Sequence, residues 1–407
     1  MSLSPLELTA KTSLPADGTA GTLAGRVWRP EVEGPSVVAV RGREVFDVSH
    51  EFPTMRDLCE ADDPAAALKD SDGARLGDLQ GILTNTPRDQ RNRSKPWFLA
   101  PADLQAVKAA GVTFVVSLLE RVIDERSRGN PQAAATIRGE IGRLFGSDLA
   151  KLKPGSPEAM ALKEILEAQG AWSQYLEVGI GPDAEIFTKT APMAAVGTGF
   201  DAGIHPSSQW NNPEPEVVLA IASTGRIVGA TLGNDVNLRD LEGRSALLLG
   251  KAKDNNASCA IGPFLRLFDD TFSLDSVRRT TVALTVEGPD GFRLSGSSSV
   301  SRISRDPEDL VAQMIGPHHR YPDGAVLFLG TMFAPIDDRD VPGKGFTHKV
   351  GDIVTIAAPE LGSLVNRMRY SHECEAWDFG AAALMRNLAK RGLLDTLTGG
   401  MKKGSCC

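Results

Sequence analysis

The sequence has few cysteines, few aromatic residues and no excess of positive charge. Its 407 residues include five cysteines, an odd number, and no Cys-x-x-Cys pair. Neither a disulfide framework nor a structural zinc site is therefore indicated, and we expect reduced thiols. Lysine and arginine total 44 against 52 aspartates and glutamates, a formal charge of −8. Such an acidic chain lacks the electrostatic footprint that binds a nucleic-acid backbone or an anionic lipid surface.

Long apolar runs are also missing. No run approaches the ~20 residues that a bilayer-spanning helix needs, and the N-terminal sequence has no basic segment followed by an apolar one. We therefore expect a cytoplasmic protein without membrane or nucleic-acid partners. The composition, 42 % hydrophobic and 24 % charged, is that of a globular chain and argues against disorder.

The character of the sequence changes along the chain and predicts three parts. Residues 1–100 form short β-like runs and polar, proline-containing segments, which predict a small N-terminal α+β domain with a linker; residues 69–95 are interpreted as loop or linker. Residues 101–395 are predicted to form a second, larger domain, and residues 396–407 a flexible tail. Strands do not alternate regularly with helices, so a β-rich α+β fold is favoured over a doubly wound one.

The start of the second part is assigned in more detail. Residues 103–108 suggest a short helix that stops at Gly111. Residues 112–116 are rich in β-branched side chains and suggest a strand.

Two acidic residues, Glu214 and Glu216, lie at the start of an apolar, strand-like run. Alternate residues of a strand share a face, so both carboxylates point the same way and repel each other unless a cation or a proton intervenes. A divalent metal ion would relieve this repulsion. The alternative is a solvated strand end beside a proline-rich turn.

A third acid and a lysine follow within forty residues. Asp235 comes after a β-like run, and with the two glutamates it would form an oxygen ligand set that suits Mg²⁺ and leaves coordination positions open. Ordinary turn chemistry is the alternative for Asp235. Lys253 is either a solvated loop lysine or, if it is buried near a metal, a source of positive charge or a proton donor.

These elements, in this order, resemble the fumarylacetoacetate hydrolase superfamily over residues 103–393. The markers are Gly111-Val112-Thr113-Phe114, Glu214-Pro215-Glu216, Asn234-Asp235 with Arg239-Asp240, Lys253 with Gly262-Pro263, Leu329-Gly330-Thr331 and Gly351-Asp352-Ile353-Val354. The resemblance implies a mixed β-sandwich or β-roll catalytic domain, usually dimeric. It further implies Mg²⁺ or Mn²⁺ held by Glu214, Glu216 and Asp235, with Lys253 at the active site.

Within this superfamily, four runs, residues 175–178, 181–187, 210–216 and 346–349, are most similar to the 2-keto-3-deoxy-pentonate dehydratases. Hydrolytic members carry a histidine and, three positions later, a glutamate that together activate water; here these positions are Ser117 and Glu120. A lone carboxylate can still remove a proton from carbon. The resemblance thus implies a hydro-lyase that converts a 2-keto-3-deoxy-pentonate, derived from D-xylonate or D-arabinonate, to 2-oxoglutarate semialdehyde in oxidative pentose breakdown, with Glu120 as the base.

Three further residues are predicted to bind the 2-keto acid substrate. Thr331 follows an apolar strand, and its alternative is a threonine in a strand-end turn. Arg121 would recognise the sugar-acid chain or lie on a helix surface. Ser117 completes the set.

Other functions compete with the dehydratase. A metal-dependent hydrolase that cleaves a carbon-carbon bond of a 2,4-diketo acid, such as an acylpyruvate, would keep the same three carboxylates. A non-catalytic sugar-acid binding protein or a purely structural β-protein remains open. A Rossmann oxidoreductase is disfavoured, because the glycines of residues 197–203 miss the G-x-G-x-x-G spacing.

Overall fold

The computed structural model describes residues 5–394 except 129, 131–132, 135, 138–151, 169, 171, 334, 336 and 343–344. The described chain is β-rich and contains two sheets flanked by short helices. In chain order, the strands are β1 (Leu23–Arg29), β2 (Gly34–Arg41), β3 (Glu44–Asp47), β4 (Ala74–Asp78), β5 (Trp97–Leu99), β6 (Ala106–Ala110), β7 (Ile186–Thr190), β8 (Asp201–Ile204), β9 (Pro215–Ile221), β10 (Ile227–Asp235), β11 (Cys259–Leu267), β12 (Thr281–Glu287), β13 (Arg293–Ser299), β14 (Ala325–Phe328), β15 (Ile353–Ala358) and β16 (Gly362–Tyr370).

Short α-helices connect the strands. They are α1 (Ala10–Ser13), α2 (Met55–Glu60), α3 (Pro64–Asp70), α4 (Leu79–Asn85), α5 (Val115–Ser127), α6 (Pro157–Ala168), α7 (Gln174–Ile180), α8 (Arg239–Glu242), α9 (Leu249–Lys253), α10 (Leu274–Arg279), α11 (Pro307–Met314) and α12 (Ala381–Lys390). Among the described residues, no helix is both long and apolar enough to cross a membrane.

The larger sheet has the strand order β4-β3-β2-β1-β11-β10-β9-β14-β6-β7, and β5 also pairs with β1. Its strands are antiparallel except for the β14-β6 pair. The smaller sheet has the order β13-β12-β15-β16-β8, in which β16 and β8 are parallel. Neighbours β9 and β10 lie near the middle of the larger sheet, where both of their edges are hydrogen-bonded.

One apolar core joins the two sheets. Leu219 of β9 and Leu232 of β10 belong to the same buried cluster as Leu284 of β12, Ile356 of β15 and Leu364 of β16. Along β12 buried and more exposed residues alternate, as expected for a sheet with one packed face and one solvated face. The predicted β-rich α+β fold is confirmed.

The local assignments around residue 110 are wrong. Residues 106–110 form strand β6, not part of a helix, because pairing with both β14 and β7 overrides the helix preference of an alanine-rich run. Residues 112–116 are not a strand, since α5 begins at Val115. Its buried residues Leu118 and Val122 follow helical spacing.

The interpretation of residues 69–95 as loop or linker is also wrong. This segment contains β4 and α4, and the Asp78 carboxylate caps α4 by accepting from the backbone N–H of Gly81 at 2.9 Å. Leu79, Ile82 and Leu83 are buried on one face of α4. The few apolar residues of the segment are thus spaced for a helix, which its overall polarity concealed.

The predicted domain boundary at residue 100 stays a prediction. Strand β1 pairs with β11, with Leu23 opposite Arg266 and Ala24 opposite Leu265, so segments on both sides of residue 100 share one sheet. The predicted tail, 396–407, lies outside the described residues.

Close packing around residue 233 of β10 leaves no room for a side chain. A substitution of Gly233 therefore tests the packing of the core. A Cβ at this position would lie 2.2 Å from Cε1 of Phe328 and 2.5 Å from Cγ2 of Val218, both fully buried. We expect Gly233→Ala to lower the free energy of unfolding by about 1 to 3 kcal/mol, the usual cost of overpacking. Chemical denaturation would measure it. Gly250→Ala is the control, because a Cβ on Gly250 meets nothing within 4 Å; an equal loss in both variants would contradict the packing argument.

Candidate metal and active site

Three carboxylates meet where β9 and β10 pair. Glu214 immediately precedes β9, Glu216 is its second residue, and Asp235 ends β10. The register places Glu216 opposite Gly233, and the N–H of Asp235 donates to the carbonyl of Glu214 at 3.1 Å. One oxygen from each carboxylate lies within 4.8 Å of the others, and all three side chains are buried. This group could hold a metal ion.

The three carboxylates do not share the same electrostatic environment. Burial raises the pKa of Glu216 well above its usual range, and the negative charges of Asp235 and Glu214 raise it further. Burial would also raise the pKa of Asp235, but the ammonium groups of Lys189 and Lys253 outweigh it and lower this pKa. These two shifts favour a proton on Glu216 and a negative charge on Asp235.

Lys253, at the end of α9, contacts two of the three acids. Its Nζ donates to Oε2 of Glu214 at 2.5 Å and to Oδ2 of Asp235 at 2.9 Å. Burial lowers the pKa of Lys253, but the charges of Asp235 and Glu214 outweigh it, so the pKa is raised above the usual value. The raised pKa favours the charged form of Lys253 and so supports the predicted source of positive charge over the predicted proton donor.

A second buried lysine, which sequence reasoning missed, lies on the other side of Asp235. Lys189 of β7 is fully buried, and its Nζ is 2.9 Å from Oδ1 of Asp235. The same Nζ donates to the carbonyl of Lys253 and to Oγ of Ser258. Lys189 thus neutralises Asp235 and fixes the segment that carries Lys253. A lysine in a polar strand gave no signal of burial.

Helix α5 brings Glu120, Arg121 and Asp124 to the site. Arg239, at the start of α8, donates from Nη2 to Glu120 at 3.0 Å and to Asp124 at 2.6 Å. Its guanidinium lies 4.2 Å from the centroid of the Trp210 ring. These contacts hold the carboxylate of Glu120 beside a positive charge.

Arg121 is buried, so the alternative that places it on a helix surface is wrong. It forms an ion pair with Glu214, and its Nη1 lies 3.2 Å from Asp124 and 3.2 Å from Glu242. The side chain therefore connects α5 to the acidic cluster. Its predicted contact with substrate stays a prediction.

Ser117 and Thr331 contact each other beside the cluster. The hydroxyl of Ser117 donates to the carbonyl of Thr331, and the hydroxyl of Thr331 donates to the carbonyl of Phe333 at 3.1 Å. The preceding residue, Gly330, donates its N–H to Glu216 at 2.7 Å. Ser117 thus stabilises the loop that contacts Glu216, while substrate binding by Ser117 and Thr331 stays a prediction.

The buried charges of the site test whether a divalent cation fits. Among the described residues of the site, six carboxylates and four cations are buried: Glu120, Asp124, Glu214, Glu216, Asp235 and Glu242, and Arg121, Lys189, Arg239 and Lys253. Glu185, which is half-buried, is not included in this count. With all groups ionised, this leaves an excess of two negative charges, which one divalent cation would balance. The all-oxygen donor set also matches the ligands that Mg²⁺ and Mn²⁺ prefer.

Glu185 is a further acidic residue that sequence reasoning missed. Burial and the negative charge of Glu242 raise its pKa to about 7, although Lys253 and Arg121 oppose the shift. Its carboxylate packs over Gly111, where a Cβ would lie 1.8 Å from Oε2 of Glu185. The available signal was its place in a run, Gly181 to Phe187, that resembles the dehydratases.

The acidic cluster falls within a recognised family domain. Residues 212–369 match the family model described as fumarylacetoacetate (FAA) hydrolase C-terminal. This stretch of the chain is similar to that family. It contains all three carboxylates and Lys253, so the resemblance inferred from the sequence is confirmed.

Two curated relatives are similar over part of this chain. The 2-dehydro-3-deoxy-D-arabinonate dehydratase of Saccharolobus solfataricus is 32 % identical over 188 residues, which are 46 % of this chain and 58 % of that protein. The probable 2-keto-3-deoxyxylonate dehydratase of Haloferax volcanii is 30 % identical over 192 residues, 47 % of this chain and 62 % of that protein. The matches thus span about three fifths of each relative.

A solved structure has a similar fold over most of the chain. It is a 2-keto-3-deoxy-D-arabinonate dehydratase complexed with magnesium and 2,5-dioxopentanoate. The TM-score is 0.59 at 20 % sequence identity, covering 86 % of this chain and 99 % of that one. The similarity confirms the predicted fold.

Proposed function

We propose that this protein is a hydro-lyase that removes water from a 2-keto-3-deoxy-pentonate, derived from D-xylonate or D-arabinonate, to give 2-oxoglutarate semialdehyde. The proposal rests chiefly on one observation: a buried cluster of Glu214, Glu216 and Asp235 in direct contact with the cation Lys253. The names of the two curated relatives support this reaction over others of the family. The proposed place of the reaction is oxidative pentose breakdown, in a homodimer or a higher homo-oligomer.

The proposed cofactor is Mg²⁺ or Mn²⁺, held by the three carboxylates of the cluster. When bound, it would take the carboxylate and 2-keto oxygens of the substrate and make the protons on the third carbon more acidic. Lys253 contributes a positive charge beside the carboxylates of the cluster. This charge would stabilise the negative charge of the enolate as it develops on the substrate. Ser117, Arg121 and Thr331 would orient the sugar-acid chain.

Two carboxylates in different environments suit the two proton transfers of the reaction. Glu120, ion-paired with Arg239, is the proposed base that removes a proton from the third carbon. The electron pair of that C–H bond passes into the enolate, which then forms the double bond between the third and fourth carbons as the C–O bond at the fourth carbon breaks. Glu185, whose pKa is raised to about 7, is the proposed acid that gives the departing hydroxide a proton. The resulting hydroxy-enone rearranges to the aldehyde, so one water is lost overall.

A pH profile tests the role of Glu185. Because the carboxyl group keeps its proton below its pKa of about 7 and loses it above, we expect kcat to fall as the pH rises through about 7. Glu185→Gln should lower kcat by about 10- to 100-fold and remove this fall, since positioned acids contribute at least that much. Asp183→Asn is the control, an exposed carboxylate two residues away. A wild-type pH profile kept by Glu185→Gln would contradict the assignment.

The function is tested by product identification. Purified protein, stripped of metal and resupplied with Mg²⁺ or Mn²⁺, is incubated with 2-keto-3-deoxy-D-xylonate, with the D-arabinonate-derived stereoisomer and with an acylpyruvate. Loss of one water to give 2-oxoglutarate semialdehyde, only with metal present, is the expected result. Cleavage of the acylpyruvate to pyruvate and an acid, without dehydration, would show a hydrolase instead.

A further inference from the structure

A cavity of about 500 Å³ lies away from the acidic cluster, beside β1 and β5. Three of the five tryptophans of the chain line it, together with two phenylalanines: Trp28, Trp97, Trp377, Phe200 and Phe379. Since aromatic residues are only 6 % of the sequence, this concentration is unusual. A cavity of this size is in the range of small-molecule sites, which span roughly 300 to 1,000 Å³.

Three of the aromatic side chains that line the cavity contact one another, whereas Trp377 is partly exposed. The rings of Trp28 and Trp97 stack with centroids 5.9 Å apart, and Phe379 meets Trp28 edge-on at 5.0 Å. Trp377 is 49 % exposed at the rim of the cavity. Its free surface can stack on a planar ring that enters the cavity.

Arg26 is a buried cation in the cavity wall whose donors are unequally satisfied. It is 5 % exposed, its Nη1 donates to the carbonyls of Ala100 and Ala102, and its Nε lies 3.6 Å from Oδ2 of the buried Asp103. Its Nη2 donates to the sulfur of Met193 at 3.8 Å, and a thioether is a weak acceptor. Met193, which also lines the cavity, has a φ of 71°, unusual for a residue other than glycine. An anionic oxygen would be a stronger acceptor for this buried donor.

Two further arginines, Arg91 and Arg93, line the cavity. Arg91 lies between the rings of Trp97 and Phe200, 4.8 and 4.5 Å from their centroids, and pairs with Glu375 at 2.9 Å. Arg93, 79 % exposed, is 3.6 Å from Glu375. The lining also holds Arg26, which pairs with the buried Asp103, and a second carboxylate, Asp378.

We propose that this cavity binds a small aromatic anion, a flat ring that carries a carboxylate or phosphate group. The ring stacks on Trp377, and the anionic group is held by Arg93 and Arg26. The site is separate from the acidic cluster, since none of the residues that line the cavity belongs to it. The proposal therefore does not depend on the proposed function.

Calorimetric titration of the full chain with Mg²⁺ present tests the site. Adenosine monophosphate probes the ring with a phosphate, and 2-naphthoate probes the ring with a carboxylate. Inorganic phosphate lacks the ring, and 2-naphthylmethanol lacks the charge. We expect one equivalent of at least one aromatic anion to bind, about tenfold or more tighter than either incomplete probe. Whichever of the two aromatic anions binds more tightly identifies the preferred anionic group, phosphate or carboxylate. Failure of both aromatic anions to bind would overturn the proposal.

Surface variants with matched controls locate the binding. Trp377→Ala and Arg93→Ala should each lower the affinity for the bound probe by about three- to tenfold. Trp172→Ala is the control for loss of a tryptophan. Arg293→Ala is the control for loss of an exposed arginine, because Arg293 is 70 % exposed and 3.6 Å from Glu287. The proposal is wrong if the first two variants bind like wild type. It is equally wrong if no probe binds and Trp377→Ala instead dissociates an oligomer, which would make the cavity an interface between copies.

Discussion

Replacing Glu214 by alanine is expected to abolish binding of the divalent cation and to lower kcat/KM for dehydration by about 10³-fold or more. The carboxylate supplies one of three ligand groups in a site that has no other buried acid within the same 4.8 Å among the described residues. A bound metal stabilises charge in the transition state by several kcal/mol, and each ~1.4 kcal/mol is a factor of ten in rate. Calorimetric titration with Mg²⁺ and initial rates would measure both effects.

The same substitution should also destabilise the protein, so its control must match that loss. Removal of Glu214 deprives Arg121 and Lys253 of a buried partner, and breaking a buried pair costs about 3 to 5 kcal/mol. Asp47→Ala removes a buried carboxylate that pairs with Arg29, far from the cluster along the larger sheet. We expect similar destabilisation but unchanged metal binding. A folded Glu214→Ala variant that still binds Mg²⁺ like wild type would show that the metal site is elsewhere.

The acidic cluster could be predicted because its geometry is local. Glu214 and Glu216 follow the two-residue period of a strand, and Asp235 lies at the end of the next strand along the chain. Antiparallel pairing of consecutive strands then brings the third carboxylate to the first two. Both steps depend only on sequence pattern and on the tendency of successive strands to pair.

The cations of the site could not be placed in this way. Arg239 reaches Asp124 across 115 residues, and Lys189 reaches Asp235 from a strand at the far edge of the sheet. Such contacts follow from the packing of α5 and β7 against the core, which no local pattern encodes. Lysine and arginine are rarely buried, so sequence reasoning assigns them to the surface, as it did in one interpretation of Arg121.

The errors of secondary structure have the same origin. The alanine-rich residues of β6 and the valines at the start of α5 each have intrinsic preferences opposite to the structure that they adopt. For β6, hydrogen bonding on both edges decides the outcome; for α5, the ion pairs of Glu120 and Arg121 hold the helix against the site. Tertiary contacts therefore determined the segments that carry the chemistry.

Replacing Lys253 by methionine is expected to separate catalysis from metal binding. Its ammonium touches Glu214 and Asp235, where it competes with a cation for the same oxygens. Removing it should leave Mg²⁺ affinity equal or higher, because the cluster becomes more negative. Yet kcat should fall by about 10²- to 10³-fold, the usual cost of losing one group that stabilises transition-state charge.

Two further variants decide whether this loss is chemical. Lys253→Arg keeps the charge that the argument requires and should recover part of kcat. Lys251→Met, on the exposed side of the same helix, should keep both kcat and Mg²⁺ affinity. The two variants differ in their expected effects on Mg²⁺ affinity and kcat. Glu214→Ala should lose both, whereas Lys253→Met should lose only kcat. If Lys253→Met lost Mg²⁺ binding as Glu214→Ala does, Lys253 would act by shaping the metal site, and its proposed stabilisation of the enolate would be wrong.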